Sequence, residues 1–229
     1  MHDDTRRRVL KSGLVIAGAA LLGPAMPIRR KIALPAVPGP GDSNAGALPP
    51  SVAAAPAVPT GIRPELLGAA MAALDRHGSA LARRDRVAIV DFAAPSADRR
   101  FHFLNLGDGR VRSLLVAHGS GSDPDHSGWV ERFSNVFGSN ASSEGAFVTR
   151  DYYVGKHGRS QRLVGLEPTN NNALERALVI HGAWYAEASM LEGHGKLGRS
   201  QGCFAVGDAD LETVFSHLGP GRLIFAAKV

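Results

Sequence analysis

The chain's single cysteine, Cys203, stands in the run Gly198-Arg199-Ser200-Gln201-Gly202-Cys203-Phe204, 22 residues beyond the pair His181-Gly182. With no second cysteine there is no intramolecular disulfide, so this thiol is either an inert core group or a working nucleophile. Small and polar residues ahead of it let the backbone come close to a substrate and leave N–H groups to face it, which favours the nucleophile. The alternative, a packed core thiol, follows from the frequent burial of free cysteine. A thiol nucleophile needs a base, and His181 is the best candidate. It ends the apolar run Leu178-Val179-Ile180, so a strand would fix its backbone while its ring reaches a loop carrying Cys203. Taken alone it reads more readily as a satisfied, half-buried histidine; the pairing with Cys203 shifts the balance to a base. A zinc site built from His118, His126, His157, His181, His194 and Cys203 is disfavoured, because the chain has neither His-Glu-x-x-His nor Cys-x-x-Cys. No metal is expected.

The elements that must position these residues read as mainly β. Candidate strands are Arg86–Phe92, Arg100–Asn105, Val111–Ala117, Gly145–Thr149, Arg162–Gly165, Ala177–His181, Cys203–Val206 and Leu223–Ala227, short and rich in β-branched or aromatic residues. Gly107-Asp108-Gly109 is a hairpin turn between the second and third. One helix fits Asp208–Leu218, with Asp208 as its cap and a stripe of Leu211, Val214, Phe215 and Leu218. Another begins at Pro64 and carries Leu66, Leu67, Ala70, Met71 and Leu74 at helical spacing up to His77-Gly78. Many short strands with few helices predict an antiparallel sandwich or barrel-like sheet, preceded by an amphipathic helix that packs on it.

Ahead of that helix the character differs. Thr5-Arg6-Arg7-Arg8-Val9-Leu10-Lys11 precedes a weakly apolar stretch, Leu14 to Leu22, and Gly23-Pro24-Ala25 supplies small residues for cleavage. This reads as a twin-arginine export signal over residues 1–25, which predicts a periplasmic protein that meets the membrane only during export. The apolar stretch falls well short of the about 20 residues that span a bilayer. Residues 26–60 form a Pro/Ala-rich linker, 61–83 the amphipathic helix, and 84–229 the main domain. The net charge of +5 resides mostly in the first 60 residues, which hold seven Lys/Arg against three Asp/Glu. The remainder keeps 19 of the 26 basic and 18 of the 21 acidic residues and is nearly neutral. Nothing there forms a basic helix or an aromatic platform, so no nucleic-acid partner is expected.

Ile180-His181-Gly182 and Ser200-Gln201-Gly202-Cys203 together resemble the signature of the L,D-transpeptidases with the YkuD-type catalytic domain. Ser142-Ser143-Glu144-Gly145-Ala146-Phe147 is similar to an element that lines the same cleft in that family. Val90-Asp91-Phe92, Val116-Ala117-His118-Gly119, Tyr153-Val154-Gly155-Lys156-His157-Gly158 and Gly165-Leu166-Glu167 resemble its murein branch. The resemblance covers residues 84–229. It implies a β-sandwich-like catalytic domain acting on peptidoglycan stem peptides, without metal or organic cofactor. It further implies a Cys203 thioester, His181 as base with its ring oriented by the Gly182 carbonyl, and N–H groups of Gly202 and Cys203 facing the oxyanion. Ser200, Gln201, Arg199, Lys156, His157, Tyr153 and His118 are the residues it places on substrate. Two departures stand out: most members have histidine at the position of Gln201, and many have Asn or Arg shortly after the cysteine, where Phe204-Ala205-Val206 stands here. Arg199 and Lys156 can substitute in holding substrate carboxylates. An L,D-carboxypeptidase using water, and a wall-binding module without catalysis, are the alternatives.

Overall fold

The computed structural model describes residues 60–229 of the chain, so the expected signal peptide and nearly all of the expected linker lie outside the described residues. The chain folds as α1 (Pro64–Arg76), β1 (Arg86–Asp91), β2 (Phe101–Asn105), β3 (Val111–Leu114), β4 (Gly145–Gly155), β5 (Gly158–Gly165), β6 (Val179–Gly182), α2 (Ser189–His194), β7 (Phe204–Val206), α3 (Asp208–Leu218) and β8 (Leu223–Ala227). The strands form one eight-stranded sheet in the order β3-β2-β1-β8-β4-β5-β6-β7. The expectation of a mainly β fold with a few short helices holds. The sheet is mixed, because β1 runs parallel to β8 and β6 parallel to β7.

The two ends of this sheet meet. The chain leaving β3 crosses to β7, where Ala117 bridges Ala205 and Gly119 bridges Ser200, with Ala117 N–H donating to the Ala205 carbonyl at 2.8 Å. These two bridges cover the β7 edge near Ala205, and one face of the sheet packs on a core of Phe92, Phe101, Phe147, Ile180, Phe204 and Ile224. Helix α3 plugs this core with Val214, Phe215 and Leu218. On the opposite face, Leu66, Ala70, Ala73 and Leu74 of α1 cover Val87, Ile89, Val148 and Leu223, as the helical spacing predicts. Arg63, at the start of α1, holds both Asp91 carboxylate oxygens at 2.7 Å and fixes the helix on β1.

Two local expectations are corrected. Asp208 is the first residue of α3 and not its cap; Gly207 precedes it and no side chain caps the helix. Strands β4 and β5 extend well past Thr149 and Arg162 and turn at Gly155–Gly158. Beyond Val148, β4 pairs only with β5, and an irregularity between Thr149 and Tyr152 redirects the hairpin. The outer half of β4, Arg150–Gly155, is largely exposed, Val154 included.

Candidate active site

The parallel register of β6 and β7 sets His181 beside Ala205. Side chains alternate along a strand, so Cys203, two residues before Ala205, shares the His181 face, while Ile180 and Phe204 enter the core together. Both chemical residues thus open on one cavity of about 600 Å³. Its lining also includes Tyr153, Lys156 and His157 from the β4–β5 hairpin, Arg199, Ser200 and Gln201 from the cysteine loop, and Arg176, Ala177 and Tyr185.

Glycine is required at Gly202, which adopts φ +110°; a Cβ there would sit 2.7 Å from the Ala141 carbonyl oxygen and 2.9 Å from Leu178 Cδ2. Gly182 is equally confined, since a Cβ would lie 2.2 Å from Asp208 Oδ1. The Ser200 hydroxyl ties the loop together: it donates to the Cys203 carbonyl at 2.7 Å and accepts the Gly202 N–H at 3.1 Å. That second bond narrows the expected oxyanion pair, because the Gly202 N–H is directed into the loop. Ser200 is buried and its hydroxyl is engaged internally, so it shapes the cavity wall.

The His181 Nδ1–H donates to the Gly182 carbonyl at 2.8 Å, which leaves Nε2 as the basic nitrogen. Burial lowers the His181 pKa; the Gly182 bond and Asp208 act against this, while His157 and Lys156 add to it. Burial pushes the Cys203 thiol up, opposed by the Val179 N–H and by the positive charges of Lys156 and Arg176. At neutral pH both groups are therefore uncharged, a thiol and a free imidazole that line the same cavity. The thiol faces the Ala177 carbonyl at 3.6 Å. Ala177 itself adopts φ +54°, a left-handed conformation uncommon for a residue with a side chain.

Lys156, Gln201 and His157 are exposed residues on the cavity wall. The His157 ring stacks on His181 with centroids 4.3 Å apart and planes at 20°. Tyr153 is held from behind by the Arg162 guanidinium, 4.0 Å from its ring centroid. Arg199 donates to the Asp123 and Pro124 carbonyls, so part of its guanidinium anchors the loop.

His118 is corrected as a substrate contact. It is buried and absent from the cavity lining. Its Nδ1 accepts from Arg100 Nη2 at 2.7 Å and its Nε2 faces Asp123 Oδ2 at 3.1 Å. Burial, reinforced by Arg100, brings its pKa down to about 4. Its carbonyl accepts the Ser200 N–H at 2.8 Å, which makes it a buttress of the cysteine loop. Ser142 and Ser143 are likewise buried; Ser142 Oγ accepts the Gly119 N–H and donates to the Gly202 carbonyl at 3.4 Å.

The sequence gives neither Arg176 nor Ala177 a place in the site. Arg176 spans the Ser134 and Ala141 carbonyls and the Ser143 hydroxyl at 2.6 Å each. It clamps the segment behind Gly202 while its charge reaches the thiol. No local motif marks it, since its partners lie more than thirty residues away.

A family model of the L,D-transpeptidase catalytic domain matches residues 59–227. Comparison with curated proteins returns no match. Among solved structures, an L,D-transpeptidase from Mycobacterium smegmatis is 13% identical, with a TM-score of 0.39 over 62% of this chain and 58% of that one. An L,D-transpeptidase from Xylanimonas cellulosilytica is 18% identical, with a TM-score of 0.38 over 69% and 68%. The helical cell shape determining protein Pgp2 from Campylobacter jejuni is 12% identical, with a TM-score of 0.42 over 69% and 55%. The matched part spans just under three fifths of the length of the first of these structures.

Proposed function

Since the chain belongs to the L,D-transpeptidase catalytic-domain family, we propose that the protein is a cysteine-dependent L,D-transpeptidase of peptidoglycan tetrapeptide stems. The observation that carries this reading is that His181 on β6 and Cys203, immediately ahead of the parallel strand β7, line one cavity, with the His181 tautomer fixed by Gly182.

In this reading the Cys203 thiol gives its proton to His181 Nε2 as sulfur attacks the carbonyl of the third stem residue. The tetrahedral oxyanion is met by the Cys203 N–H, the Gly202 N–H being held by Ser200. Collapse breaks the peptide C–N bond, and His181 returns the proton to the departing D-alanine amine, leaving a thioester. A side-chain amine of a second stem then attacks the thioester carbonyl and gives up a proton to His181. The thiol is regenerated and a 3→3 cross-link forms. Pairing a raised thiol with a lowered imidazole suits this cycle, because proton transfer then accompanies attack and no buried thiolate has to persist. The cavity volume fits a short peptide. Lys156, exposed on its wall and without an ion pair among the described residues, is assigned to a substrate carboxylate.

The test is incubation of the protein with disaccharide-tetrapeptide, followed by mass analysis of products. Cross-linked dimers with released D-alanine are expected; tripeptides alone would assign a carboxypeptidase, and unchanged substrate would leave a wall-binding module. We further propose export to the periplasm by the twin-arginine route. Replacing Arg6 and Arg7 by lysine should retain the precursor in the cytoplasm, and unchanged export would point to the general secretory route.

A further inference from the structure

The His157 ring lies face to face with His181, yet the two differ sharply in setting: His181 is 1% exposed, whereas His157 is an exposed residue at the tip of the β4–β5 hairpin. We propose that His157 is a positioning residue for His181: it covers the ring of the base and takes up the first proton offered to the stacked pair, so that His181 stays a free base to lower pH. The proposal rests on the reading of His181 as the base and goes beyond it, since His157 then acts through His181 and not on substrate.

Two imidazoles in van der Waals contact do not both carry a proton without strong repulsion, so they titrate as a pair. Partial burial and the neighbouring Lys156 lower His157 too, but His157 is exposed and His181 is not, so the first proton goes where water can solvate it, on His157. The buried ring beneath then resists protonation further, and its Nδ1 bond to Gly182 leaves Nε2 as the nitrogen that can accept a proton. The other charges facing His181 are Lys156 on the same hairpin and Asp208 at the start of α3, which oppose each other. Cys203 shares its face, Arg176 lies near the thiol, and Glu175 and Arg199 line the cavity beyond. Its strand neighbours Ser160 and Ala205 carry no charge. Among the described residues, His157 is thus the titrating group that stacks on the ring from outside the sheet.

The experiment measures, in the full chain, the His181 ring-proton titration by NMR and the pH dependence of Cys203 acylation for wild type, His157→Ala and His157→Lys. The alanine variant should raise the His181 midpoint and move the acidic limb up by about 0.5–1 pH unit. The lysine variant, with a permanent charge, should hold both at or below the wild-type value. An alanine variant with unchanged midpoint and limb, and only a raised KM, would overturn the proposal and make His157 a substrate contact. The NMR arm needs no turnover: coupled titration in a protein that forms no product would fault the transpeptidase reading alone.

Discussion

Replacing Gly202 by alanine puts a methyl group where the backbone of the nucleophile loop has least room. The added Cβ would meet the Ala141 carbonyl oxygen at 2.7 Å, a backbone atom that cannot rotate away, and Leu178 Cδ2 at 2.9 Å. The residue would also have to hold φ +110°. A left-handed conformation costs an L-residue about 1–2 kcal/mol, and forced overpacking adds about 1–3 kcal/mol. The expected destabilisation is about 2–5 kcal/mol, or roughly 5–15 °C in Tm for a domain of this size. Because the strain falls one residue before Cys203, acylation should drop more than stability does. The same substitution at Gly68 serves as the control. Gly68 lies inside α1, with no atom within 4 Å of the place an added methyl would take, so alanine there should stabilise by about 0.5–1 kcal/mol. Calorimetry of both variants, with intact-mass acylation rates, decides the matter. A Gly202→Ala protein as stable and as reactive as wild type would refute the described loop geometry.

His217 should make stability depend on pH. Burial, together with Arg86 and Arg222, brings its pKa down to about 4, and its buried Nε2 has no partner. Below the ordinary histidine value near 6.5 the unfolded chain gains a proton that the folded chain resists, so stability is lost as pH falls from about 6.5 to about 4. His217→Met should therefore gain stability over wild type at pH 5 and little at pH 8; equal gains at both would contradict this. Arg100→Lys should cost about 2–4 kcal/mol, because one ammonium cannot reach the Val116 and Ala94 carbonyls and His118 Nδ1 together; urea unfolding checks it. Gln201, exposed on the cavity wall, cannot titrate. Gln201→Ala should slow acylation without removing it, and a variant as inactive as Cys203→Ala despite normal folding would end the mechanism in which His181 alone exchanges the proton with thiol and amine.

Strand positions were legible because β1, β2 and β8 are β-branched or aromatic runs bounded by turn residues. The helical spacing of Leu66, Ala70 and Leu74 likewise foretold the face by which α1 packs. The outer half of β4 and β5 was not legible, since Arg150–Gly155 has no alternation and gains its strand form only from pairing with β5. Asp208 looked like a cap because its residue type fits one; the helix instead begins at Asp208 itself, with Gly207 ahead of it and no side-chain cap. At the site, Cys203 and His181 could be named from spacing, and their common face follows from a register that no local pattern encodes. His118 shows the opposite case. A histidine in a motif suggests contact with substrate, whereas burial beside Arg100 and Asp123 turns it into support for the loop. Arg176 and Ala177 belong to the site only through closure of distant segments around Gly202.

The central claim is that Cys203 carries the stem peptide as a thioester with His181 as its base. Intact-mass analysis of the full chain mixed with disaccharide-tetrapeptide, for wild type, Cys203→Ala and His181→Ala, tests it most directly. Wild type should gain the mass of the donor less D-alanine, Cys203→Ala should gain nothing, and His181→Ala should acylate slower by at least about a hundredfold. Release of D-alanine by Cys203→Ala at the wild-type rate, or a folded wild type that never gains the adduct, would contradict the account.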